Sequence, residues 1–408
     1  ASIRYFTLFY SLLTTLALFA LGYLLWGRVA ALLSALLYAL FSGGIYIYGS
    51  SANTETFMVL FMVLALYSFV RAGRQTHPWL LLTGLFSGLA FMTKQVALFN
   101  FAVFPIFLFF VSERFEVKLR KILWLMVGFA VFPIVFSVYF WTKGAFLDFL
   151  NSAFFANLGY LAGDVFYHDR FNFNKILFFA YQENSIIWLL GTVGAVYILI
   201  KDRVFGNLLL AFWGLASFMG ILAGTYFWEH YFIAIIPALA LLSAYTIQKW
   251  QELKPPLLAR VFFVSSLLLL VLFALPYQLP VYLGLSPQEI SVVKYGGNEF
   301  VVAQKVGEVI KKVLPPGEGI FIWGAEPEVY FYSRMRSVSR YTYFYPLKGK
   351  SPAAAGRIKE LLSELKTDNP KLIVWVQLSG LDPEFREFLE KNYRLYFSVE
   401  DWRIFKRK

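Results

Sequence analysis

No cysteine occurs among the 408 residues. Disulfides, thiolate metal sites and a cysteine nucleophile are therefore excluded, while the compartment stays open. Histidine is nearly as scarce. His77, His168 and His230 lie far apart along the chain, which argues against a histidine-rich metal centre. Charge is thin as well: 15% of residues are charged, where a soluble domain carries about a quarter. What fills the space is apolar, with 59% hydrophobic and 20% aromatic residues. That excess belongs in lipid. The formal net charge is +12, but no basic stretch interleaved with aromatics forms a recognisable binding module. Nucleic acid is not an expected partner. The basic residues read instead as cytoplasmic loops beside anionic membrane lipids.

A membrane-crossing helix needs about 20 mostly apolar residues. Ten stretches qualify: 5–25, 29–48, 56–73, 78–93, 95–112, 121–142, 183–200, 205–223, 231–248 and 258–278. The fourth and fifth are joined by a very short turn at Thr93-Lys94. Alternate loops divide the basic residues unequally. Twelve fall on one side, among them Arg28, Arg71, Arg74 and the group Arg114, Lys118, Arg120 and Lys121. Five fall on the other: Arg4, Lys94, Lys143, Arg170 and Lys175. The positive-inside rule places the richer side in the cytoplasm. Residue 1, the loop 143–182 and everything after about residue 280 are then expected outside. A chain that starts outside and enters the membrane at once is unusual, so at least one span is expected before residue 1.

From about residue 281 the texture changes. Residues 281–408 hold 20 Lys+Arg and 15 Asp+Glu, against 17 and 10 in the longer part before them. Helices are expected over Glu299–Val313, 353–366 and 383–391. Strands are expected over Gly319–Trp323 and 371–376, with a closing hairpin from 395–399 and 402–405. Alternating helices and short apolar strands predict a small sheet covered by helices. The expected architecture is a polytopic α-helical membrane domain over residues 1–280, with about ten helices, and a soluble α/β domain over 281–408.

Unusual polar residues gather at the outer ends of the spans: Arg4, Glu55, Lys94, Glu229, His230 and the loop 143–182 with Asp164, His168, Asp169 and Arg170. Ionisable groups at the membrane edge are costly and tend to face cavities or partners. Arg and Lys suit a phosphate, and a carboxylate suits a base or a hydroxyl orienter. Each also has an ordinary structural reading. Arg4 can snorkel to headgroups. Glu55, behind Asn53 and Thr54, can answer a helix dipole. Lys94 can be a plain turn lysine, and His230 can belong to an aromatic belt. The four loop residues can simply be solvated. Trp323-Gly324 with Glu326 and Glu328 reads best as a strand end and turn. The shared face carries the functional reading.

Four stretches resemble the membrane glycosyltransferases of the GT-C superfamily, in particular prokaryotic relatives of protein O-mannosyltransferase and of the lipid A aminoarabinose transferase. They are Arg4-Tyr5-Phe6-Thr7 with Gly22 to Ala31, Ser50 to Phe57, Gly88 to Gln95, and His230-Tyr231-Phe232 leading to Pro237. The tail phrase Phe321 to Gly324 followed by Tyr330-Phe331 is similar to their extracytoplasmic domain. The resemblance implies transfer, with inversion, from a polyprenyl-phosphate sugar at the outer face of a cell membrane. The sugar could be a hexose or a pentose; the acceptor could be a lipid, a protein or a polysaccharide. It implies that Arg4, Lys94, His230 and Tyr231 bind the donor phosphate and that Glu55 is a catalytic carboxylate. The principal base of the family, an aspartate in the first outer loop, is expected before residue 1. Neither a metal nor another cofactor is expected. Two other functions fit the sequence. A transporter or flippase for a lipid-linked sugar would show inverted repeats and charges near the bilayer midplane, and neither is visible. A non-catalytic subunit of an envelope assembly would use the tail for docking.

Overall fold

The computed structural model describes residues 2–73, 76–157, 173–181, 185–254, 256–261, 263–265, 268, 272, 279–348, 352–376 and 382–408. The loop group around His168, the side chain of His77 and most of the stretch 258–278 lie outside the described residues. The chain forms two compact units that meet in sequence at Leu283 and Gly284.

The first unit is helical. In chain order its helices are α1 (Ser2–Trp26), α2 (Arg28–Phe41), α3 (Thr54–Ala72), α4 (Thr76–Thr93), α5 (Leu98–Phe110), α6 (Phe115–Thr142), α7 (Phe146–Leu150), α8 (Phe173–Tyr181), α9 (Ser185–Ile200), α10 (Phe205–Ala223) and α11 (Ile236–Glu252). Among the described residues, five helical stretches are long and apolar enough to cross a membrane: Ile3–Trp26, Thr54–Ala72, Phe115–Thr142, Phe205–Ala223 and Glu229–Glu252. Shorter apolar helices stand among them. Large exposed side chains such as Leu8, Leu32, Phe109, Ile134 and Leu215 cover their flanks. Such a surface is tolerable where the surrounding solvent is lipid.

Two expected spans are interrupted. The second stops at Phe41, and turns fill residues 42–53. Gly43-Gly44 weakens the helix there, and Gly49 folds back so tightly that a Cβ would strike the Ser42 carbonyl oxygen. The ninth opens as a 3-10 turn, Glu229–Ile235, before becoming α-helical at Ile236. Pro237 fits the first turn of α11, where its missing N–H costs nothing.

Packing without a hydrophobic gradient relies on close backbone approach and on polar contacts between helices. Between α4 and α6 the contact is made by glycines. A Cβ on Gly84 would meet backbone atoms of Leu125, Gly128 and Phe129, and one on Gly128 would meet the Leu81 carbonyl oxygen. Gly128→Leu is therefore expected to lower the melting temperature of the purified protein clearly, since overpacking costs roughly 1–3 kcal/mol or more. An unchanged thermal scan would contradict this account of the contact. Asn100 on α5 donates to the Trp213 carbonyl (3.0 Å) and to Ser217 Oγ (2.8 Å) on α10. Ser243 and Thr246 on α11 donate to carbonyls of α9.

The second unit is a five-stranded sheet, β1 (Gly319–Trp323), β2 (Arg336–Ser337), β3 (Leu372–Trp375), β4 (Tyr393–Val399) and β5 (Trp402–Arg407), in the order β2-β1-β3-β5-β4. β1 runs parallel to β2 and β3, while β5 is antiparallel to β3 and β4. α12 (Pro287–Tyr295), α13 (Glu299–Val313), α14 (Glu328–Ser333), α15 (Pro352–Asp368) and α16 (Pro383–Asn392) complete it. The central strands are buried on both faces. Phe321 and Trp323 pack with α15 and α16 on one side, and Ile320 and Ile322 pack with α13 on the other. Two-sided burial explains why β1 and β3 are uninterrupted apolar runs.

Candidate active site

Lys94 occupies the single extended residue between α4 and the 3-10 turn Gln95–Ala97. Its ammonium forms an ion pair with Glu55 Oε1. The other carboxylate oxygen, Oε2, accepts from the Thr54 hydroxyl at 3.0 Å. Glu55 is 1% exposed, whereas the Lys94 side chain is 21% exposed. The open side of the pair therefore belongs to the lysine. Glu55 sits in the first turn of α3, where the helix dipole also favours negative charge. Asn53 holds the cap position, but its side chain makes no cap bond; it donates instead to the Tyr48 carbonyl at 3.0 Å. The dipole reading of Glu55 is thus only part of its environment, because Lys94 neutralises it directly.

The 3-10 turn 229–235 closes the site from the other side. The Lys94 ammonium lies 3.9 Å from the centre of the Tyr231 ring, a favourable cation–π position. The His230 ring stands edge-on to Tyr231 at 4.9 Å, and Glu55 and Lys94 are the charges that act on it. Four of the five residues singled out from sequence, Glu55, Lys94, His230 and Tyr231, come together here. The fifth, Arg4, does not join them. Its side chain is exposed on α1 and has no hydrogen bond or ion pair among the described residues. It does share the helix end, since Phe6 contacts Phe57 of α3 at 5.8 Å.

Two further residues support the cluster and were not singled out. Thr54 anchors the carboxylate. Gly224 leaves room for Tyr231, because a Cβ there would lie 2.5 Å from the ring. The bend after Gly224 places Thr225 and Phe227 at φ 57° and 48°. Positive φ is strained for a β-branched or bulky residue, and such strain concentrates at functional sites. Next to this bend, Lys175 of α8 lies 5.3 Å from the Trp228 ring.

An apolar groove of about 380 Å³ opens between α9, α10 and α11. Trp188, Phe212, Phe218 and Leu239 line it, and Ile235 ties it to the turn that carries His230 and Tyr231. The opposite end of α11 holds a separate polar group. There Asp202 accepts from Tyr245 at 2.6 Å and pairs with Lys249 at 3.6 Å. Lys249 is nineteen residues on from His230; the 3-10 turn to Ile235 rises about 2.0 Å per residue and the α-helix after it about 1.5 Å, about 31 Å in all, so that group lies at the far end of α11. Among the described residues no group of three or more His, Asp or Glu is placed to hold a metal ion.

A family model described as dolichyl-phosphate-mannose-protein mannosyltransferase matches residues 1–141. That segment includes Arg4, Glu55 and Lys94. The crystal structure of ArnT from Cupriavidus metallidurans bound to undecaprenyl phosphate is similar with a TM-score of 0.64, at 13% identity over 99% of this chain and 83% of that one. The oligosaccharyltransferase AglB from Archaeoglobus fulgidus, solved with an inhibitory peptide and a dolichol-phosphate, gives a TM-score of 0.52 at 14% identity over 100% of this chain and 63% of that one. Its apo form gives 0.51 at 14% identity, over 92% and 58%. No curated protein sequence matches. The resemblance to the GT-C superfamily read from the sequence is borne out, and the chain has the fold of these multi-pass membrane proteins with a small C-terminal sheet.

Proposed function

We propose that the chain is a glycosyltransferase that moves a sugar from a polyprenyl-phosphate donor to an acceptor at the outer face of the membrane. The observation that carries this reading is the convergence of Lys94, Tyr231, His230 and Glu55 at one end of the helices. A lipid monophosphate leaves readily only if its growing charge is stabilised, and a fixed cation beside it acts most strongly in the transition state. Lys94 holds that position. His230 and Tyr231 supply hydrogen-bonding groups to the same phosphate, while the exposed Arg4 stands apart from them. Glu55 orients the acceptor hydroxyl. The groove below Ile235 is the right chemistry for an isoprenoid chain, being apolar and open among the membrane helices. ArnT and AglB were solved with undecaprenyl phosphate and dolichol-phosphate, which supports the same donor class here. By its basic-residue asymmetry, the unit after Gly284 faces outside.

The test is transfer by the full-length protein in proteoliposomes, using labelled hexosyl and pentosyl polyprenyl phosphates with lipid, protein and polysaccharide acceptors. Labelled product from one donor is expected. Movement of the intact lipid-linked sugar across the bilayer, without transfer from any donor, would overturn the reading.

A further inference from the structure

Glu55 and Lys94 are each other's partner. The pairing has a physical cause. A carboxylate that is 1% exposed cannot be left without a counter-charge or hydrogen bonds. The pair is nonetheless asymmetric. An arriving anion meets Lys94, which keeps an open side, and cannot reach Glu55. If the phosphate simply joined the existing pair, one ammonium would face two anions in a medium of low dielectric, which is electrostatically poor.

We propose that Glu55 is a resident counter-ion that the donor phosphate displaces from Lys94, so that donor binding sets the Glu55 carboxylate free for the acceptor. The inference rests on the glycosyltransferase reading above and adds an order of events to it. Three features make the exchange feasible. The Thr54 hydroxyl remains on Oε2 when Lys94 leaves. The first-turn position on α3 continues to stabilise the negative charge. The Tyr231 ring holds the ammonium at 3.9 Å independently of Glu55, so the lysine can turn toward the phosphate while keeping one contact. Before the exchange, Oε1 is taken by Lys94 and Oε2 by Thr54. Afterwards Oε1 is available to accept from an acceptor hydroxyl. The acceptor is thus engaged only once a donor is in place.

The consequence is contrary to that of a purely structural ion pair. Glu55→Gln removes the competitor for Lys94, so undecaprenyl phosphate should bind about tenfold more tightly, the size of one charge-assisted hydrogen bond. Transfer should fall at the same time, lowering kcat and KM together. Glu55→Asp, which withdraws the carboxylate by one methylene, should also tighten binding and serves if the Gln variant does not fold. The measurement is titration of undecaprenyl phosphate into the purified full-length protein in detergent, with Lys94→Ala as control. Unchanged or weaker binding by the folded Glu55 variants, with binding lost in Lys94→Ala, overturns the exchange and leaves the glycosyltransferase reading standing. Absence of binding by the wild-type protein overturns both.

Discussion

Lys94→Ala is expected to reduce sugar transfer by about 100- to 1000-fold, the roughly 2.7–4 kcal/mol commonly lost with one charge-stabilising donor. Lys94 is the cation that both touches the buried carboxylate and keeps an open side. The substitution also strands Glu55, and breaking a buried pair from one side destabilises the fold. A drop in melting temperature is therefore expected beside the loss of turnover. The two effects separate in the double variant Lys94→Ala/Glu55→Gln. Removing the stranded charge should restore much of the stability, while transfer stays low because no cation faces the leaving phosphate. Lys94→Arg should recover part of the rate, imperfectly, since a planar guanidinium presents its donors differently from an ammonium. Near-normal turnover in a folded Lys94→Ala protein would remove the lysine from the donor site.

Glu326→Gln is expected to stabilise the second unit above neutral pH. Glu326 follows β1 and is 8% exposed. Its Oε2 has no hydrogen-bond partner among the described residues. Burial, reinforced by the nearby Glu328 and Glu299 charges, raises its carboxyl from 4.5 to about 7. The folded unit therefore holds a proton between about pH 4.5 and 7 that the unfolded chain has released. Stability falls as pH rises through that window and then levels off. The loss is on the order of 2 kcal/mol, allowing for partial solvent access, at 1.36 kcal/mol per unit. The Gln variant is neutral throughout. It should gain melting temperature over the wild type at pH 8, and the gain should vanish near pH 4. An equal difference at both pH values would show that the carboxyl does not titrate in this way.

Punctuated segments were legible in the sequence. Glu299–Val313 and Gly319–Trp323 fold as expected because Pro315-Pro316-Gly317 separates a helical period from a short apolar run. The hairpin expected over 395–399 and 402–405 forms, with β4 starting two residues earlier and β5 ending two residues later. The helix Pro287–Tyr295 was missed although its start is written plainly: Ser286 and Glu289 form a reciprocal capping box. The break after Phe41 was missed because the apolar run continues through Ile45 and Ile47, and only the glycines mark it. In the site, the residue types and their common face could be read. The pairing of Glu55 with Lys94 could not. They are 39 residues apart, and each has a sufficient local explanation. Gly224 carried no signal beyond being a glycine, since its reason is the ring of Tyr231 arriving from the following turn. Arg4 was read onto the same face as the others, but its side chain is exposed on α1 and stands apart from the cluster.

Lys94 follows the last turn of α4, six residues beyond Gly88, and at Gly84 and Gly128 α4 meets α6 through backbone rather than side chains. The atoms that a Cβ on Gly84 or Gly128 would meet are carbonyl oxygens, amide nitrogens and backbone carbons. Trimming a facing side chain cannot make room for them. In a genetic screen, damage at these glycines should therefore yield no suppressors among the side chains opposite. Such variants should revert only to glycine, while damage at side-chain contacts such as Phe91 against Phe129 should be rescued by compensating changes in size.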